Sequence, residues 1–154
     1  MPLQPPPTRQ PKPKVFIDAD VLFAGSAAPS QHGASLVVLS MAEITLLEAY
    51  ASQQVVAEVE RNLVSRLPNA LPAMHMILSR CLIVVPDPQP EELIPYAGLA
   101  NAADLPILVA ALTSGCPWLV SFNRRHYLPG HPAVTVLPPG EFLLRVRQLL
   151  AGMG

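Results

Sequence analysis

A chain of 154 residues with net charge −1, 51% apolar residues and only 14% charged ones suits one compact domain with a sizeable core. Those proportions exclude a charge-driven disordered protein and a long solvated coiled coil. They also leave no global excess of cations, so a nucleic acid would be held by a few local ones.

Two cysteines, Cys81 and Cys116, make no disulfide framework and point to a reduced, cytoplasmic compartment. Residues 1–13 (MPLQPPPTRQPKP) hold six prolines and no apolar run of a secretory signal. They read as a proline-rich disordered tail ahead of a domain spanning 14–150. KVFID then reads as a buried strand ending in a carboxylate. GASLVVLSMAE (33–43) predicts a helix, and ITLLEAYA (44–51) a second strand. Ser52 is a candidate N-cap for a helix to about Leu67, in which Val55, Val59, Leu63 and Leu67 recur every four residues.

Pro68 breaks that helix, and another is expected over Leu71–Ser79. CLIVV (81–85) is the third strand, and the acidic loop PDPQPEE leads to a short helix near 91–97. An apolar helix follows over Asp104–Ser114, a fourth strand over Trp118–Phe122 and a fifth over Val134–Leu137. Pro139–Leu150 closes the chain as an amphipathic helix. Leu105 to Phe122 is uncharged over 18 residues, but Pro106, Gly115 and Pro117 divide it into helix, turn and strand rather than a membrane span. Strands spaced by helices predict an α/β fold, a three-layer α/β/α sandwich on a mostly parallel five-stranded sheet.

Ligands of such sheets bind beyond the carboxyl ends of the strands. Asp18 and Asp20 stand there after the first strand; Ser121, Asn123, Arg124, Arg125 and His126 follow the fourth. Asp104 opens the intervening helix. Two carboxylates two residues apart suit a hard divalent cation between them. An N-capping Asp20 beside a solvated Asp18 accounts for the pair equally well. A phosphatase of the haloacid-dehalogenase type fits poorly, because Lys12 and Lys14 both precede the strand. His32, His75 and His131 share no zinc-like spacing. On the helical wheel Glu58 and Glu60 flank the Val55/Val59/Leu63 stripe on opposite sides, and periodicity selects neither.

The pieces VFIDADVL, SQQVVAEVERNL, ADLPILVAAL, WLVSFNRRHYL and LPPGEFLLRV, in this order, resemble the PIN domain family, in particular its VapC-like toxin nucleases. The resemblance covers nearly all of 14–150. It implies a PIN-like fold and a Mg2+- or Mn2+-dependent endoribonuclease cleaving single-stranded RNA to 3′-hydroxyl and 5′-phosphate ends. Position by position it implies catalytic, metal-holding acids at Asp18, Glu58 and Asp104, and thereby favours Glu58 over Glu60. The family's frequent fourth acid is Asn123 here, still an oxygen donor to a metal but an uncharged one.

Asp20, Ser121 and His126 are then supporting residues, and Arg124 and Arg125 candidate RNA phosphate contacts. The resemblance also implies a small antitoxin as partner. The excess of apolar helix surface suggests a homodimer. The alternative is a catalytically weak or inactive RNA- or protein-binding module on the same fold, which Asn123 and the low charge favour. Arg61, Arg66, Arg145 and Arg147 read as solvated helix-surface charges, and Trp118 as core.

Overall fold

Val15, Phe16 and Ile17 are without solvent exposure, and strand β1 (Lys14–Ile17) accordingly lies in the middle of the sheet. The computed structural model describes residues 12–27, 33–44 and 46–151. Most of the tail, 1–11, therefore lies outside the described residues. The Pro13 carbonyl already accepts the Glu48 N–H at 2.9 Å, so the domain's pairing begins one residue before β1.

The order of elements is β1, helices α1 (Ala19–Ala27) and α2 (Gly33–Glu43), β2 (Glu48–Ser52), α3 (Gln53–Arg66), α4 (Leu71–Cys81), β3 (Leu82–Val85), α5 (Pro90–Leu93), α6 (Leu105–Thr113), β4 (Trp118–Val120), β5 (Thr135–Leu137) and α7 (Pro139–Ala151). A short 3-10 turn, Arg124–Tyr127, joins β4 to β5. The five strands are all parallel, in the order β3-β2-β1-β4-β5.

Right-handed crossovers explain the layering. From β1 through β2 to β3 the chain moves one way, and α1 to α4 pack on one another as one layer, with α7 against α2. It then returns past β1 to β4, which places α6 against β2 and β4 with α5 beside it. The reversal falls between β1 and β4. Open sheets bind ligands at that switch point.

The second strand begins at Glu48, not at Ile44. The Ile44 and Leu46 N–H groups donate to Ser40 and Met41 carbonyls at the end of α2, 3.0 and 2.9 Å away, and this helix closure keeps them out of the ladder. Helix α1 has no counterpart among the elements expected from periodicity. It is apolar on most sides, burying Val21, Leu22, Ala24 and Gly25, so no amphipathic stripe announces it. A Cβ on Gly25 would sit 2.7 Å from Leu39 Cδ1, so any larger residue there requires the Leu39 side chain to move. Trp118 is half-buried and meets Phe142 edge to face, ring centres 5.9 Å apart. No helix among the described residues is long and apolar enough to cross a membrane.

Candidate active site

Asp18 follows β1 directly, and its N–H continues the ladder to the Val120 carbonyl at 3.0 Å. The side chain is 7% exposed. Its Oδ1 accepts the Ala19 N–H at 2.7 Å, while Oδ2 accepts the Ser121 and Tyr127 hydroxyls, both at 2.7 Å. Three short donors offset the desolvation of this buried charge. The Tyr127 hydroxyl proton is correspondingly held: burial first, then the Asp18 charge, push its pKa far above the usual phenol range.

Asp20, in the first turn of α1, is less well served. Its Oδ2 accepts the Phe122 N–H and the Asn123 side-chain amide, each at 3.0 Å. The Ser121 hydroxyl lies 3.4 Å from it, but its one proton goes to Asp18 at the shorter distance. Oδ1 is buried with no hydrogen-bond partner among the described residues. Burial, and next the charge of Asp18, push the Asp20 carboxyl up to about 7. The spacing of Asp18 and Asp20 thus yields two unlike carboxylates.

Two further acids approach from other elements. Ser52 caps α3, its Oγ accepting the Val55 N–H at 3.3 Å, and Glu58 stands in the second turn. Burial raises the Glu58 carboxyl, followed by the charges of Asp18 and Asp104, with Arg61 opposing. Asp104 occupies the cap position of α6. It is raised by burial and then by Asp18, while His126, whose Nδ1 is 3.2 Å from Asp104 Oδ2, opposes the rise. Asp18 is therefore electrostatically coupled to both. Glu60 points elsewhere, into an exposed groove with Ala57, Arg61 and Val64.

The remaining expected residues have defined partners. Asn123 donates to Asp20, and its backbone N–H donates to Ser121 Oγ at 3.0 Å. Arg124 donates to the Val136 carbonyl at 3.1 Å and pairs with Glu141 at 2.8 Å. Arg125 is exposed and lines one groove with Ser121, Asn123 and His126. Two residues at the site escaped sequence reasoning. Tyr127 lies within the quoted WLVSFNRRHYL piece, but its spacing does not reveal a buried hydroxyl. Gln54, one turn before Glu58, donates from Nε2 to the Ala103 carbonyl at 2.8 Å, and its N–H donates to Asp87 Oδ1 at 2.8 Å. It thereby ties the helix carrying Glu58 to the loop carrying Asp104.

A family model described as PIN domain matches residues 14–125. The chain belongs to the PIN domain family. Among solved structures, this PIN domain is similar to VapBC2 from Rickettsia felis, bound to a DNA fragment from its promoter. The TM-score is 0.61 at 15% identity, over 80% of this chain and 96% of that one. It is also similar to VapC20 of Mycobacterium tuberculosis, described as a toxin that cleaves the sarcin-ricin loop. There the TM-score is 0.57 at 16% identity, over 77% and 97% of the two chains. At that identity the likeness is one of fold. No curated protein sequence matches significantly.

PIN nucleases generally use divalent metals, and the donor set of this PIN domain can be tested against that. Among the described residues no three His, Cys, Asp or Glu side chains converge closely enough to enclose an ion. The donors present are carboxylates of hard oxygen chemistry. The charge of Asp18 raises both Glu58 and Asp104, Asp104 also raises Glu58, and Asp20 keeps a buried oxygen with no hydrogen-bond partner among the described residues. Mg2+ ordinarily retains several waters and takes only one or two carboxylates. An open acidic set of this kind fits that mode and does not fit a closed protein cage.

Proposed function

We propose that this PIN domain is a divalent-metal-dependent endoribonuclease acting on single-stranded RNA, and the toxin of a toxin–antitoxin pair. One observation carries the reading. Asp18, Glu58 and Asp104 come from β1, α3 and the start of α6 to the switch point between β1 and β4, where Asp18 is coupled to both other acids. The fold likeness to a VapBC complex and to an RNA-cleaving VapC toxin supports the antitoxin and the RNA.

Asp18, Glu58 and Asp104 would hold Mg2+ or Mn2+, with Asn123 at the margin. When bound, the ion supplies Lewis acidity at the scissile phosphate and activates water. The chain's own residues do the rest. Ser121 and Tyr127 fix the Asp18 carboxylate, and His126 orients Asp104. Arg125 is the exposed cation beside them for phosphate. The protein acts in the cytoplasm in this reading. The apolar side chains left exposed on α3, directly after it and on β3, among them Val64, Leu67, Ile83 and Val84, support a homodimer.

The test is cleavage of single-stranded RNA in Mg2+ or Mn2+, abolished by EDTA and lost by orders of magnitude in Asp104→Asn with the fold intact. RNA binding without cleavage in any divalent ion would instead establish the binding-module alternative, which the pairing of Asn123 with Asp20 favours.

A further inference from the structure

Helix α3 presents Glu58, Asn62 and Arg66 along one ridge, four residues apart, and α1 supplies Ala19, Asp20 and Phe23 as the opposite wall of a cleft. Helical side chains lean towards the N-terminus of their helix. Arg66 lines this cleft together with Asn62, Glu58 and Asp20. Arg66 makes no ion pair among the described residues, whereas Arg124 is paired with Glu141 and Arg80 with Glu43. Phe23 packs one side on the core and is half-exposed on the other. A cation and an amide on one wall, facing an aromatic ring on the other, beside two acids of a nuclease centre, match a strand of nucleotides leaving it.

We infer that this cleft is a subsite for the flanking RNA strand, with Arg66 binding a backbone phosphate, Asn62 a sugar or phosphate oxygen, and Phe23 stacking a base. Arg66 lies eight residues beyond Glu58, about 12 Å along the helix at roughly 1.5 Å per residue. A stacked strand at about 3.4 Å per nucleotide covers that distance in three or four nucleotides. Arg66 is thus an affinity residue for the RNA backbone and not merely a solvated helix charge. The inference rests on the nuclease reading.

The experiment measures binding of a short fluorescein-labelled single-stranded RNA to the full chain carrying Asp104→Asn, by anisotropy across a salt series. Adding Arg66→Ala is expected to weaken binding several-fold and to flatten the slope of log affinity against log salt by about 0.7, the release expected of one lost phosphate contact on a single strand. Arg66→Lys should keep the slope. In the otherwise wild-type enzyme Arg66→Ala should raise KM with kcat retained. Affinity and slope unchanged in Arg66→Ala, with the parent binding RNA, overturn the subsite alone; this is also the result if the cleft takes a partner protein's segment instead. A wild-type chain that neither binds nor cleaves RNA overturns the nuclease reading and the subsite with it.

Discussion

Replacing Asp20 by Asn should stabilise the metal-free protein at neutral pH, and the gain should vanish in acid. In the folded chain the Asp20 carboxyl sits at about 7 against an ordinary 3.8, through burial and the charge of Asp18. A raised carboxyl pKa means that the folded state holds a proton which the unfolded state releases. This group's contribution is therefore most favourable below about pH 4, declines as pH rises to about 7, and is fully adverse above. About three pKa units correspond to roughly 4 kcal/mol at most.

The asparagine keeps an oxygen for the Phe122 N–H but gives up the charge that strengthens that bond and the Asn123 amide contact. That loss takes back about 1–2 kcal/mol, leaving a net gain of roughly 2 kcal/mol at pH 8. With a urea slope of about 1–3 kcal/mol/M for a domain of this size, the midpoint should rise by about 1 M. Urea melts of both proteins in EDTA, at pH 4 and pH 8, provide the measurement. Equal midpoints at pH 8, or the same difference at both pH values, would refute the argument and mean that Asp20 is ionised at little cost.

Three further outcomes follow from the same contacts. Tyr127→Phe removes one of the donors on buried Asp18 and should cost about 1–3 kcal/mol in a urea melt, together with a fall in RNA cleavage. Arg125→Ala should weaken RNA binding and lower its salt dependence, whereas Arg124→Ala should leave the salt slope nearly unchanged. Its guanidinium is engaged by Glu141, an exposed pair worth only about 0.5 kcal/mol. Asn123→Asp places a carboxylate where an amide now donates to Asp20. It should lower the stability of the metal-free chain above pH 7 and tighten Mn2+ binding measured by calorimetry.

The elements that reported themselves in the sequence are those with one apolar and one polar face, or with a marked end. Helix α3 begins at the Ser52 cap and buries the Val55, Val59 and Leu63 stripe, both readable as residue types at fixed spacing. Helix α1 and the pair Ile44 and Leu46 carried no such stripe. One is apolar nearly all round, and the other looks like a strand but is drawn into the closure of α2 by two backbone bonds. At Ile44 and Leu46 a local helix closure overrides strand propensity.

The candidate site divides along the same line. That Asp18 and Asp104 stand at a strand end and a helix start follows from chain order, since both positions open onto the same rim of a parallel sheet. Which glutamate faces them does not follow, because Glu58 and Glu60 flank the buried stripe symmetrically. The direction in which α3 crosses the sheet breaks that tie, and Gln54 helps to set it by holding Ala103. The roles of the neutral residues were further out of reach. Ser121, Tyr127 and Asn123 act by donating to carboxylates brought more than a hundred residues across the chain. Two of them join the Ala19 N–H in giving Asp18 three short donors, whereas Asp20 Oδ1 is buried with no partner among the described residues. Of two acids that look interchangeable in Asp-Ala-Asp, one accepts three short hydrogen bonds and the other is a carboxyl pushed up to about 7. Burial and the neighbouring Asp18 charge set Asp20 apart, and the donors of the loop after β4 only partly offset them.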